Sequence, residues 1–196
     1  MKILIALSIA LLAMVTVARA AEGKIEVVAA ENFYGNVAQQ IGGDRVSVVS
    51  ILNNPDQDPH LFEVSPAVIR KVAAAQVVLY NGAGYDPWVE QVLSATAKPG
   101  RVAIVAADLM QRKSGDNPHL WYDPATMPAV ARALATALAA ANPAHKDDYA
   151  ARLATFLASL APLDAKIAAV RDKYAGTAVT ATEPVARATS PRSSVT

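Results

Sequence analysis

The pentapeptide QVVLY at residues 76–80, followed by NGAG at 81–84 and PWVEQVLSATA at 87–97, decides the fold. Four apolar residues in a row after Gln76 suit a strand buried on both faces, because a half-exposed strand would alternate with polar residues. The Asn-Gly-Ala-Gly turn ends the strand, and Pro87 sits where a helix tolerates proline, at its first position.

The same unit recurs on either side. Downstream, RVAIVAA at 101–107 predicts a fourth strand. Upstream, KIEVVAA at 24–30 predicts the first, followed by a helical pattern over 32–43 that closes on Gly42-Gly43. RVSVVSIL at 45–52 predicts the second strand, and Ser65-Pro66 opens a helix through residue 74, with Ser as N-cap. Strands of this type alternating with helices of about ten residues predict an α/β class: a four-stranded parallel, doubly wound N-terminal lobe over 21–143.

Beyond a further helix at 124–141, apolar residues at Tyr149, Leu153, Phe156, Leu157, Leu160, Leu163, Ile167, Val170 and Tyr174 step by three or four. A helix over 144–174 would be about 46 Å long at 1.5 Å per residue, bent at Pro162, and is expected to link two lobes. The linker is placed at 144–176. TAVTAT at 177–182 predicts the first strand of an incomplete second lobe over 177–185, and residues 186–196 have the polar, aperiodic character of a disordered tail.

At the other end, Lys2, the apolar run from residue 3 to 17 and Ala18-Arg19-Ala20 have the three parts of a secretory signal peptide, residues 1–20, cleaved after Ala20. The apolar run falls short of the roughly 20 residues that span a bilayer.

Composition excludes several classes. The chain has 196 residues, 53% of them hydrophobic, with 18 basic and 17 acidic residues and no cysteine. Removal of Lys2 and Arg19 with the leader turns the net charge from +1 to −1. Nothing here supplies the basic field that nucleic acid requires, and no thiol exists for a disulfide scaffold, an iron–sulfur cluster or a thiolate zinc module.

Two of the three histidines share a setting. Residues 58–62 read DPHLF and residues 117–121 read NPHLW. Each lies in a loop after a predicted strand, and each leads toward a helix opened by proline, Pro66 or Pro124. In a parallel sheet all strands end along one edge, so the loops bearing His60 and His119 face one crevice. The preceding proline stiffens each mount. Glu183, just after the fifth predicted strand, adds a carboxylate. Two imidazoles and a carboxylate suit Zn²⁺, Mn²⁺ or Fe²⁺ better than Ca²⁺ or Mg²⁺, which favour all-oxygen shells. Asp58 and Asp123 are candidates to accept the second imidazole N–H, and equally candidates for helix caps. Phe62, Trp121 and Tyr122 are expected to pack the loops. His145, in HKDD at a helix start, is read as a solvated side chain. NGAG lacks the spacing of a phosphate loop.

With ENFYGNVAQQIGG after the first strand, DPHLFEVSP, NGAGYDPWVEQVL and NPHLWYDP, the chain over residues 24–185 resembles the cluster A-I solute-binding proteins of bacterial ABC importers for zinc and manganese. The resemblance implies two α/β lobes joined by one rigid helix, a metal between them, and His60 and His119 as first-lobe ligands. Glu183 matches, less closely, a position where some members place a third. It implies a monomeric periplasmic protein, not an enzyme, whose partner is an inner-membrane permease. The chain departs from the family in lacking a counterpart for the fourth, acidic ligand. A His-rich insert, found in some zinc receptors, is also missing from residues 108–118. A site with one ligand fewer is expected to bind metal more weakly.

Two functions follow for testing. The first is capture of a divalent transition metal for import, with protons competing for imidazole below pH about 6.5. The alternative is a secreted metal-dependent hydrolase with Glu63 or Glu183 activating water, a reading weakened because the chain has no H-E-x-x-H motif.

Overall fold

The computed structural model describes residues 23–54, 57, 59 and 62–178. β1 (Ile25–Glu31) leads into α1 (Asn32–Gly42), then β2 (Val46–Leu52), α2 (Pro66–Ala74), β3 (Val77–Tyr80), α3 (Pro87–Ala95) and β4 (Val102–Val105). A single turn, α4 (Ala106–Leu109), follows, and then α5 (Thr126–Ala141), α6 (Lys146–Ser159) and α7 (Ala161–Tyr174). All pairings are parallel, in the order β2-β1-β3-β4. The doubly wound lobe expected from the alternation is what forms.

Side-chain alternation explains the unbroken apolar strands. Ile25, Val27 and Ala29 of β1 join Val77 and Leu79 of β3 in one core, packed under α1, α5 and α6. Val28, Ala30, Val78 and Tyr80 face the other way into a second core with Val68 and Val72 of α2 and Trp88, Val89 and Val92 of α3. Each central strand therefore buries both faces. Two local devices fix this arrangement. Ser65 Oγ accepts the Val68 N–H at 3.4 Å as the N-cap of α2, and Arg101 and Lys98 donate to the carbonyls of residues 73–75 at its C-terminal end, where the orphan acceptors and the helix dipole favour cations. Gly35 lets α1 lie directly on β2, since a Cβ there would collide with Ser50 Oγ.

Three expectations need correction. The fourth strand stops at Val105, because the chain turns at Ala106 so that Ala107 N–H meets the Asn81 carbonyl at 2.8 Å. Pro124 does not open the helix after His119, which begins at Thr126 after Ala125. His145 is 7% exposed rather than solvated: the turn Pro143–His145 packs against α5 and α6, and the imidazole Nδ1 lies 3.1 Å from Asp148 Oδ2.

The long helical pattern divides at Leu160, which keeps right-handed helical angles (φ −83°, ψ −16°). Pro162 falls in the first turn of α7, where its missing N–H costs little. Tyr149 and Phe156 of α6 are buried, whereas α7 buries no residue and exposes Leu163, Val170 and Tyr174. Residues 179–185, including most of the predicted fifth strand, the tail at 186–196 and the leader at 1–20 lie outside the described residues.

Candidate metal centre

The strand order reverses direction between β1 and β3, so the crevice of this sheet opens beyond the carboxyl ends of those two strands. The loop after β2 carries His60 and the loop after β4 carries His119. Both leave the same sheet edge, but from its two outer strands, three inter-strand steps or about 14 Å apart. An ion shared by the two histidines would require the loops to close that distance.

Aromatic side chains two residues past each histidine lean on the same segment. Phe62 packs on Trp88 at the start of α3, with ring centroids 4.8 Å apart. Trp121 packs on Tyr85, immediately before α3, at 4.9 Å, and on Phe33 of α1 at 4.9 Å. The expectation that Phe62 and Trp121 pack the loops is met. His119 sits beside this cluster, 5.3 Å from the Trp121 ring and 6.4 Å from the Tyr85 ring.

His119 is held by its own loop. Asn117 Oδ1 accepts the His119 backbone N–H at 3.1 Å and lies 2.8 Å from His119 Nδ1. An oxygen that accepts from the main chain fixes the amide orientation, so Nδ1 is the protonated, donating nitrogen and the lone pair is placed on Nε2. A metal ligated through Nε2 requires that tautomer. The role offered to Asp123 is filled at Nδ1 by Asn117, while Asp123 Oδ1 accepts the Ala125 N–H at 2.9 Å in the turn before α5. His60, Asp58 and Glu183 lie outside the described residues. Among the described residues no three His, Asp or Glu side chains are grouped to hold a metal.

Beneath the His119 loop lies a polar core that sequence reasoning missed. Asn81, fully buried at the end of β3, uses every polar group it has. Its N–H donates to Asp86 Oδ2 (2.6 Å) and its carbonyl accepts from Ala107. Its Oδ1 accepts the Tyr34 hydroxyl (2.7 Å), and its Nδ2 donates to the carbonyls of Gly82 (3.0 Å) and Pro118 (2.8 Å). One side chain thus ties β3 to α1 and to the residue preceding His119. Asp86 precedes α3 in the N-cap position but turns its carboxylate back, accepting also from Gly82 N–H at 2.8 Å. Gly82, Ala83 and Gly84 all have positive φ, and a Cβ on Gly82 would press on Val105 and Ala107 at 2.7 and 2.9 Å. That turn serves close packing against β4.

Glu31 closes β1 at 2% exposure. Burial first, then the negative charge of Asp86, holds its carboxyl well above the usual range. Burial raises Asp86 too, against the opposing effect of its two amide donors. The Tyr34 phenol is pushed upward by burial and by both acids, and Tyr80 by burial to about 12. The detectable signal for Glu31 was its phase: it follows Ile25, Val27 and Ala29 onto a buried face. Asn81 carried none beyond its place at a strand end.

In a doubly wound parallel layer the crevice at the switch point is where ligands are taken, and the His119 loop is tied to the end of β3 beside it. The chain belongs to the family of zinc-uptake complex component A, periplasmic, whose model matches residues 27–192. It is 26% identical over 159 residues to the metal ABC transporter substrate-binding lipoprotein FimA of Streptococcus parasanguinis, covering 74% of this chain and 51% of that protein. It is 31% identical over 111 residues to the manganese-binding lipoprotein MntA of Bacillus subtilis, covering 53% and 36%. The periplasmic zinc binding protein TroA from Treponema pallidum shares the fold with a TM-score of 0.66 at 23% identity, over 74% of this chain and 54% of that one. The chain therefore spans about half the length of such relatives, or less. These relatives are named as binding or transport proteins rather than enzymes.

Proposed function

We propose that this protein captures a divalent transition metal, Zn²⁺ or Mn²⁺, in the periplasm and delivers it to the permease of an ABC importer. His60, His119 and Glu183 are its ligands, and residues 1–20 are a leader cleaved after Ala20. One observation supports this reading above the others: the loops bearing His60 and His119 leave one sheet edge, and the aromatic residues beyond each histidine pack on neighbouring positions, Tyr85 and Trp88. The His119 tautomer, with its lone pair on Nε2, agrees with it. Family membership and the transport names of the relatives support a role in metal import. No observation among the described residues favours the hydrolase reading.

Calorimetric titration with Zn²⁺ and Mn²⁺ tests the proposal. One metal binds per chain, and the His60→Ala/His119→Ala double variant loses at least about tenfold in affinity. Absence of binding by the parent, or equal binding by the variant, rejects it.

A further inference from the structure

Glu31 and Asp86 bring two carboxyls together at the ends of β1 and of the β3–α3 turn. Among the described residues no donor from any other residue reaches either Glu31 oxygen. The parallel register of β1 and β3, Ala29 beside Leu79, carries Glu31 alongside Asn81, whose N–H holds Asp86, so the two buried carboxyls face each other there. Asp86 is 1% exposed, and its two oxygens accept the amide hydrogens of Asn81 and Gly82. Two carboxylates in contact in so dry a site cannot both be ionised. Amide donors favour the charged form of the acid they reach: Asp86 has those of Asn81 and Gly82, whereas Glu31 has at most its own. The proton therefore resides on Glu31.

We infer that Glu31 is a positioning residue whose protonated carboxyl donates to the Asp86 carboxylate and clamps β1 to the turn that carries the His119 loop. The path is short: Glu31 to Asp86, Asp86 to the Asn81 N–H, and the Asn81 side chain to the Pro118 carbonyl next to His119. Among the described residues the ionisable groups around the pair are Tyr34 from α1, whose hydroxyl is engaged by Asn81, Tyr80 of β3 and Tyr85 from the turn; none is a cation that would let both acids ionise. Neither acid is among the proposed metal ligands. Only its effect on metal affinity rests on the proposed function; the shared proton does not.

Infrared difference spectra of the full chain at neutral pH read the proton directly. The carbonyl-stretch band of a protonated carboxyl is expected in the parent and absent from Glu31→Gln. No such band in the parent, or its survival in Glu31→Gln, overturns the assignment. Amide hydrogen exchange at Leu120 and Trp121 reads the positioning without metal. Exchange is expected to be about tenfold faster in Glu31→Ala and unchanged in Glu31→Gln, whose amide still donates to Asp86. Equal exchange in all three proteins overturns the positioning role. In a Zn²⁺ titration Glu31→Ala is expected to bind about tenfold more weakly and Glu31→Gln within about threefold of the parent. A parent that binds no Zn²⁺ defeats the proposed function, while band and exchange still decide the clamp.

Discussion

Replacing Asn81 by alanine tests the polar core that carries the His119 loop. The substitution removes three side-chain hydrogen bonds: from Tyr34 at 2.7 Å, to Pro118 at 2.8 Å and to Gly82 at 3.0 Å. The Pro118 carbonyl keeps the Leu120 N–H at 2.7 Å, so its loss is modest. The Tyr34 hydroxyl, on a residue 1% exposed, is left without that acceptor. Stranding a buried hydroxyl costs about 1–3 kcal/mol, and each of the other bonds contributes about 0.5–1 kcal/mol net, giving a loss of about 3 kcal/mol. For a chain of this size that lowers Tm by about 6–12 °C. Thermal denaturation followed by circular dichroism measures it. Tyr34→Phe alone should cost about 1 kcal/mol, and the double variant should lose less than the sum, by about 1 kcal/mol, because no hydroxyl remains to be stranded. A loss below about 1 kcal/mol in Asn81→Ala, or strict additivity with Tyr34→Phe, refutes the reasoning.

Other outcomes follow from the same contacts. Glu31 has an ordinary carboxyl value of 4.5 raised on folding, so the folded state keeps a proton that the unfolded chain has lost. Stability due to this group is complete below that value and declines as pH climbs toward the raised one, by up to about 1.4 kcal/mol per pH unit. Urea denaturation of parent and Glu31→Gln should therefore diverge with rising pH in favour of the variant; a constant gap contradicts this. Gly82→Ala should cost about 2–4 kcal/mol, from a left-handed φ of 74° and the pressure on Val105 and Ala107; a neutral result in denaturant titration would show the turn can relax. Asn117→Ala removes the acceptor at His119 Nδ1 and should weaken Zn²⁺ binding about tenfold without lowering Tm by more than about 3 °C, since the pair is only partly buried. Unchanged affinity would remove the role assigned to that tautomer.

The fold was legible because each central strand is buried twice. QVVLY after Gln76 and KIEVVAA after Glu26 are apolar in both phases, which marks strands covered on both faces, as in a parallel layer. Helix ends were legible where a residue type acts locally, as at Ser65-Pro66 and Gly42-Gly43. The end of β4 was not, because the main chain turns there to satisfy the Asn81 carbonyl, a partner more than twenty positions away in sequence. His145 shows the same limit: HKDD reads as a surface helix start, and only the packing of two helices buries its imidazole. At the site, the repeated D/N-P-H-L-aromatic pattern brought out the two histidines, but the inner support of Asn81, Asp86 and Glu31 left almost no local signature. Polar residues that serve one another across strand ends are recognised by proximity, which a linear pattern does not contain.

X-ray absorption at the zinc edge of the Zn²⁺-loaded full chain bears most directly on the central claim, that His60 and His119 grip one ion. The outer-shell scattering pattern of two imidazoles is expected in the parent and of one in His119→Ala, with the remaining ligands oxygen. A spectrum with no imidazole scattering, or one unaltered by His119→Ala, contradicts the account.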